Sequence, residues 1–311
     1  MIVGVSPAIR RALALAERYA RTRLPVLLVG ATGTGKELFA QHIHERSGRP
    51  GPLVDVNCCA LPRDMVESLL FGHRRGAFTG AIDSTVGHVE RSDGGTLFLD
   101  ELGSLAPEAQ GKLLRVLETG DVQPLGACGK RRVDLRVVSA VQDDVDAVLR
   151  GGQFRLDLFQ RTAGVVIELP PLWARLEDVV PLAEHFADLV SKRLEPGAEK
   201  VLLGHPWPGN VRELRHVIER ASELVANGTI SPDALAESID LGTLEGQGGL
   251  RLGGVDRRRK AAAERAQLFS VCEAERGNAR RIADSLGIHR ATLFRRLKRA
   301  GISLRSVQES S

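Results

Sequence analysis

The residues of this chain whose types and spacing could do chemistry lie in two short stretches, Gly30–Glu37 (GATGTGKE) and Asp100-Glu101. The first follows an uncharged aliphatic run, Val26–Val29, and opens a helical pattern. Strand, Gly-x-x-x-x-Gly-Lys, then helix is the order of a phosphate-binding loop. Gly30, Gly33 and Gly35 let the backbone turn tightly, so that the N–H groups from Gly30 through Ala31, Thr32, Gly33, Thr34 and Gly35 can approach an anionic oxygen. A helix beginning near Lys36 aims its positive end at the same phosphates, and Lys36 adds a mobile charge for the β and γ positions. Ser or Thr usually follows that lysine. Glu37 stands there instead, so a hydroxyl ligand for Mg²⁺ is missing at that spot. Asp100-Glu101 close a second aliphatic run, Gly94–Glu101 (GGTLFLDE). Asp100 can hold Mg²⁺, usually through water, and Glu101 can orient and polarise an attacking water.

Elements that could position these groups alternate along the chain. Val3–Arg21 reads as an amphipathic helix with Ser6-Pro7 as its cap and first turn. Helical patterns follow at Glu37–Arg46, Glu67–Phe71 and Pro107–Gly120, and strand patterns at Pro52–Asn57, Gly94–Glu101 and Val133–Ala140. The glycines of Gly72–Ala81 argue against a regular element there. The alternation predicts an α/β fold, a mostly parallel sheet with helices on both faces, over residues 1–170. After the break at Pro170-Pro171 the pattern is helical, with Leu176–Leu194 and Val211–Asn227 flanking the turn HPWPGN, so 171–241 reads as an all-helical segment. Residues 242–256 hold six glycines in fifteen positions and read as a flexible linker to a basic helical module at 257–311.

Composition bounds the class. The 311 residues suffice for roughly two or three domains, and 26% charged against 43% hydrophobic residues is the balance of a soluble globular protein. No apolar run approaches the ~20 residues that span a bilayer, and Met1–Arg10 lacks signal-peptide character. The four cysteines make no CxxC pair, and Cys58-Cys59 read as small core residues; together these features predict a reducing cytoplasm. Charge is unevenly spread. Residues 257–305 carry 14 Lys and Arg against 4 Asp and Glu, a net +10, whereas the whole chain is +4. A basic end on a body of net −6 predicts a polyanionic partner at that end alone.

GATGTGKE, GHRRGAFTGA, GGTLFLDE, GQFRLDLFQR and HPWPGNVREL fall in the order and spacing of the bacterial activators of sigma-54 RNA polymerase. The chain resembles these AAA+ ATPases over nearly all of residues 1–241, and GAFTGA is the most specific match. With no receiver or sensing domain ahead of Met1–Gly4, it resembles the stand-alone members, of the phage-shock activator type. The resemblance implies an AAA+ ATPase core with a helical lid at 171–241, ATP and Mg²⁺ as cofactors, and assembly from dimers into a hexameric ring. It implies that Gly76, Ala77, Phe78, Thr79, Gly80 and Ala81 touch sigma-54 when ATP is bound. Asn57 matches the switch asparagine that couples nucleotide state to that loop through Glu101. Arg155 and Arg161 match arginine fingers that reach a neighbouring subunit's γ-phosphate, and Arg212 matches the sensor of the lid. Two departures stand out. Ala31 replaces a usual glutamate, harmless where binding is through backbone, and Val141-Gln142 replaces a Thr-Asn pair beside the chemistry.

The terminal module resembles a Fis-type helix-turn-helix. Asn278 can cap a helix Ala279–Leu286, Gly287–His289 can turn, and Arg290–Arg299 is then the recognition helix, preceded by a dimerising helix within 257–276. Arg290, Ala291 and Thr292 would face base edges, with Arg295, Arg296 and Lys298 on phosphates of double-stranded enhancer DNA. The expectation is thus a cytoplasmic transcription activator that binds enhancer DNA and uses ATP hydrolysis to remodel sigma-54 holoenzyme. Two other readings stay open. One is a AAA+ remodeller of a different protein, against which the intact GAFTGA argues. The other is a DNA-binding regulator with an impaired ATPase, for which Val141-Gln142 argues.

Overall fold

The computed structural model describes residues 2–142, 149, 151–152, 154–226, 228–248 and 282. The chain forms two compact units, Met1–Leu189 with Gly209–His216, and Val190–Pro208 with the residues from Val217 onward.

The first unit is built on five parallel strands: β1 Val26–Val29, β2 Leu53–Asn57, β3 Thr96–Asp100, β4 Arg136–Val141 and β5 Val165–Glu168. Their spatial order is β2-β3-β4-β1-β5. Side chains alternate along the strands, so β1, β2, β3 and β4 feed two cores, whereas the edge strand β5 feeds one. Val26, Leu28, Phe98, Val138 and Ala140 face helices α1 (Pro7–Ala20) and α2 (Lys36–Ser47), which contribute Ile9, Ala12, Ala16, Phe39 and Ile43. Leu27, Leu97, Leu99, Val137 and Val141 face α3 (Val66–Phe71), α4 (Pro107–Thr119) and α5 (Leu156–Thr162). Each fully buried Leu or Phe contributes about 1.5–3 kcal/mol by leaving water, so both faces hold the sheet rigid under its loops. The parallel sheet with helices on both faces is the architecture expected for this region.

Local chemistry explains the ends of these elements. Ser6 caps α1, its Oγ accepting the Ile9 N–H at 3.3 Å, and Pro7 supplies the first turn. The other end of α1 is held by the buried Arg136 guanidinium, which donates to the carbonyls of Tyr19 at 2.7 Å, Thr22 at 2.7 Å and Ala20. β4 starts three residues later than expected, because the Val133 N–H is bonded to Gly120 O and the Asp134 N–H to Asp93 Oδ1. The helix expected over Leu176–Leu194 is shorter. A 3-10 turn, Leu176–Asp178, leads into α6 (Val179–Leu189), and Ser191 at φ 56° ends it ahead of a two-residue strand, Arg193-Leu194. Cys58 is buried as expected, but Cys59 is exposed because the chain turns at the end of β2.

The second unit holds α7 (Ala198–Gly204), the C-terminal part of α8 (Asn210–Glu223) and α9 (Pro232–Gly248). Trp207 is fully buried among these elements and donates its indole N–H to Leu202 O at 2.8 Å. α9 carries the chain to Gly248, so the first seven residues of the stretch expected as linker, 242–248, are helical. Leu244, Glu245 and Gln247 are good helix formers between the glycines. The rest of that linker and the helix-turn-helix, with Arg290, Ala291, Thr292, Arg295, Arg296 and Lys298, lie outside the described residues. Among the described residues no helix is long and apolar enough to cross a membrane.

Candidate functional site

The phosphate loop joins β1 to α2 in the order the sequence demands. Gly33 and Gly35 take φ values of 81° and 104°, which a side chain would strain, and a Cβ on Gly33 would lie 2.4 Å from Gly209 O. Gly35 is the N-cap of α2 and no side chain caps that helix. Its first N–H groups are therefore not claimed by a capping side chain, the arrangement that suits an anion. Lys36 Nζ donates to Gly30 O at 2.6 Å and Ala31 O at 3.1 Å, bracing the loop across its own mouth.

The outer side of the loop is held by distant parts of the chain. Thr32 O accepts from Asn210 Nδ2 at 3.0 Å. Gly33 O accepts the N–H groups of Val211 at 3.0 Å and Arg212 at 3.3 Å. Thr34 O accepts from the Arg175 guanidinium at 3.0 Å. Three successive carbonyls are thus fixed from outside, and Arg212, exposed, begins its side chain against the loop. Asn210 and Arg175 carried no assigned role in the sequence. The signal that could have found Arg175 is a single cation followed by two carboxylates, Arg175 with Glu177 and Asp178, in the mostly apolar stretch PLWARLEDVV.

Asp100 ends β3, and Asn57 is its register partner at the end of β2. Asp100 Oδ1 accepts the Glu101 N–H at 2.9 Å, and Asp100 O accepts the Cys58 N–H at 2.9 Å. Glu101 sits at φ 51°, ψ 44°, a left-handed conformation rare for a side-chain-bearing residue and typical of sites where geometry is imposed. The Asn57 carboxamide oxygen accepts the N–H groups of Cys59 at 2.9 Å and Ala60 at 3.2 Å, so it closes the turn after β2. Asp55, two residues earlier, is a carboxylate that sequence reasoning passed over. Loss of water, then the charges of Glu37 and Asp100, push it above the usual carboxylate range. Burial beside Asp100 and Glu101 likewise pushes the Cys58 thiol up to about 12, which leaves it unreactive at neutral pH. Among the described residues no group of three or more His, Cys, Asp or Glu is arranged to hold a metal ion by itself.

The structure does not bring Arg155 and Arg161 to this loop. Arg155 caps α5 and forks onto Asp157 at 3.1 and 2.8 Å, holding that carboxylate below its ordinary range. Arg161 donates to Leu117 O at 3.1 and 2.8 Å at the end of α4. Arg155 lines an open groove of about 400 Å³ with Glu108, Lys112, Arg115 and Glu118 of α4.

Gly76–Ala81 forms the tip of a loop whose stem pairs Gly72-His73 antiparallel with Thr85-Val86. The tip is folded tightly, Gly76 N–H to Ala81 O at 2.8 Å and Ala81 N–H to Phe78 O at 3.0 Å. Gly76 and Gly80 have φ of 79° and 98° and open space where a Cβ would be, so backbone conformation and not crowding requires glycine. Phe78 is 43% exposed, its ring 5.0 Å from that of His73 at 62°, and Ile82 beside it is 75% exposed. Thr79 is exposed and Ala81 buried, which anchors one end. Phe78 and Ile82 are thus exposed on the loop and are not part of the core.

Residues 2–168 match the family described as "Sigma-54 interaction domain", and residues 174–247 match "AAA+ ATPase lid domain". The chain is 42% identical, over 96% of its length, to the nitric oxide reductase transcription regulator NorR1 of Cupriavidus necator, and covers 63% of that protein. It is 42% identical, over 76% of its length, to the Nif-specific regulatory protein of Azotobacter vinelandii, and covers 47% of it. NtrX from Brucella abortus, crystallised in complex with ATP, is similar with a TM-score of 0.69 and 32% identity over 97% of this chain and 69% of that one. The chain thus spans about half to two thirds of the length of the curated relatives it matches. By its phosphate loop, its carboxylate pair at the end of β3, its GAFTGA loop and these matches, the chain belongs to the sigma-54-interacting AAA+ ATPases.

Proposed function

We propose that this chain is the working part of a sigma-54-dependent transcription activator. On this reading it binds enhancer DNA through residues 257–311, assembles into a ring, and uses ATP hydrolysis to remodel the sigma-54 holoenzyme. The observation that carries the reading is the pairing of a braced phosphate loop with a GAFTGA tip that presents Phe78 and Thr79 outward on the same unit.

The residues present fit ATP with Mg²⁺. N–H groups at the start of α2 receive phosphate oxygens, and Lys36, already fixed to Gly30 O and Ala31 O, adds charge toward the β and γ positions. Asp100 offers one carboxylate, which suits Mg²⁺ because that ion keeps several waters and takes few protein ligands. Bound there, Mg²⁺ would neutralise charge that gathers on the phosphate oxygens during transfer. Glu101, turned by its left-handed backbone, accepts a proton from and orients the attacking water. Asn57 closes the turn beside Asp100 and carries the state of this pair toward α3 and the GAFTGA stem. Arg212 reads the nucleotide from the lid side. Arg155 and Arg161 act on a neighbouring protomer's phosphates, a charge contribution of the kind worth ~10³–10⁵ in rate. Residues 171–241 serve as the lid.

Lys36→Ala tests the core of this reading. It removes both the brace and the charge, and affinity for a fluorescent ATP analogue should fall by about 10²-fold, since hydrogen bonds to a charged group contribute about 1.5–3 kcal/mol. ATP-dependent association with sigma-54 should vanish with it. Unchanged affinity would remove the phosphate loop from the mechanism.

A further inference from the structure

We infer that Arg175 is a positioning residue of the nucleotide site, and that with Asp178 it makes ATP affinity depend on docking of the chain at Val5-Ser6. The inference rests on the reading of Gly30–Lys36 as the ATP site and adds how that site is held and what it senses.

The geometry is a buried relay within the first unit. Arg175 is 2% exposed and Asp178 0% exposed, with guanidinium and carboxylate 3.8 Å apart. On one side Arg175 donates to Thr34 O at 3.0 Å. On the other, Asp178 Oδ1 accepts the N–H groups of Val5 at 2.6 Å and Ser6 at 2.7 Å, and Oδ2 accepts the Ser6 hydroxyl at 2.7 Å. Gly4 belongs to the same contact, for a Cβ there would lie 2.6 Å from Ile9 Cγ2 and 3.3 Å from Asp178 Oδ2. The first residues of the chain thus reach the phosphate loop through two side chains.

The bond to Thr34 O bears on ATP because a peptide unit is planar, with its N–H opposed to its C=O. Holding the Thr34 carbonyl outward aims the Gly35 N–H to the other side, the concave side at the start of α2. Thr32 O and Gly33 O are held by Asn210 and by backbone, whereas the bond at Thr34 is made by a charge. A buried charge is costly to leave unpaired. When Ser6 and Val5 are docked, their three donors satisfy the Asp178 carboxylate and leave the guanidinium shared with Thr34 O. Undocked, Asp178 has only Arg175 to compensate it and draws the guanidinium away from the loop. Arg175 Nε is buried with no hydrogen-bond partner, so the guanidinium has a donor free to follow such a shift.

The test is binding of a fluorescent ATP analogue, with thermal stability measured alongside. Arg175→Met should weaken binding about tenfold, and Ser6→Ala about threefold. The double variant should bind no more weakly than Arg175→Met alone, because the effect of Ser6 passes through Arg175. Arg175→Lys keeps the charge for Asp178 but not the fork, so it should stay folded and still bind more weakly than the parent. Arg136→Met, which removes a different buried arginine from the far end of α1, should lower stability and leave affinity unchanged. Affinities of Arg175→Met and Arg175→Lys within twofold of the parent, or fully multiplicative effects of Ser6 and Arg175, would overturn the inference while leaving the ATP site intact. Failure of the unaltered chain to bind the analogue would instead overturn the ATP site and the inference together.

Discussion

The N–H of Gly30 donates to the carbonyl of Val141 at 3.3 Å, so the end of β4 is tied to the first residue of the phosphate loop. β4 also lies beside β3, which ends at Asp100. The Val141 side chain is 5% exposed and packed in the core shared with α3, α4 and α5, while Gln142 is exposed just beyond it. Val141 has no polar atom for a phosphate or a water, and Gln142 is one methylene longer than the asparagine of the usual pair. A misplacement of ~1 Å can cost 10²-fold in rate. We expect ATP to bind normally and to be hydrolysed slowly. Val141→Thr with Gln142→Asn should raise single-turnover hydrolysis at matched oligomeric state, by as much as about 10²-fold. Gln142→Asn alone leaves the core intact and carries the test if a buried threonine hydroxyl unsettles the double variant. No gain in either would make the departure neutral.

Thr79 stands at the exposed tip of the GAFTGA loop and has no part in the phosphate loop. Thr79→Ala should therefore keep ATP turnover within about twofold, the range expected of a surface change of up to ~0.5 kcal/mol. The nucleotide-dependent complex with sigma-54 should be lost, as read by native gel or promoter opening. Promoter opening at the parent's level would take the loop out of coupling.

Asp55 gives a pH signature. Its carboxyl is raised in the folded state by desolvation and by Glu37 and Asp100, so its ionisation disfavours folding. That penalty is present above the folded-state value, shrinks as pH falls through it, and is gone below the ordinary carboxylate value, where both states are protonated. Asp55→Asn should thus raise Tm at neutral pH and give no gain near pH 3. It should also raise the Mg²⁺ concentration needed for half-maximal hydrolysis, because one negative charge beside Asp100 is lost. A Tm gain that is equal at both pH values would assign the effect to packing.

If the basic end binds DNA as proposed, two kinds of contact can be told apart. Arg290→Ala in the full chain should relax preference at one base position at a cost of about 1–3 kcal/mol, whereas Arg296→Ala should weaken all sequences alike and lower the salt slope by about one. Competition binding against mutated and random duplexes at several salt concentrations measures both. Uniform weakening by Arg290→Ala would move that residue to the phosphates.

What the sequence by itself determined is whatever is encoded by near neighbours. The turn at Gly30–Gly35 needs glycine φ values, the β1 and β3 runs need aliphatic residues on both faces, and Ser6-Pro7 starts a helix. Each of these is settled within a few residues, and each appears in the structure where the spacing put it. The tertiary structure alone decided what holds the loop. Arg175 meets Thr34 from 141 positions away, Asn210 meets Thr32 from 178, and Asp178 meets Ser6 from 172. No local pattern fixes such contacts, because they depend on strand order and on where the chain returns across the sheet. The same limit explains Leu176–Leu194, where helical periodicity ran on but Ser191 took a left-handed turn. Asp55 reads as an ordinary strand carboxylate until the register sets Asn57 beside Asp100 and gathers Glu37, Asp55 and Asp100 into one field.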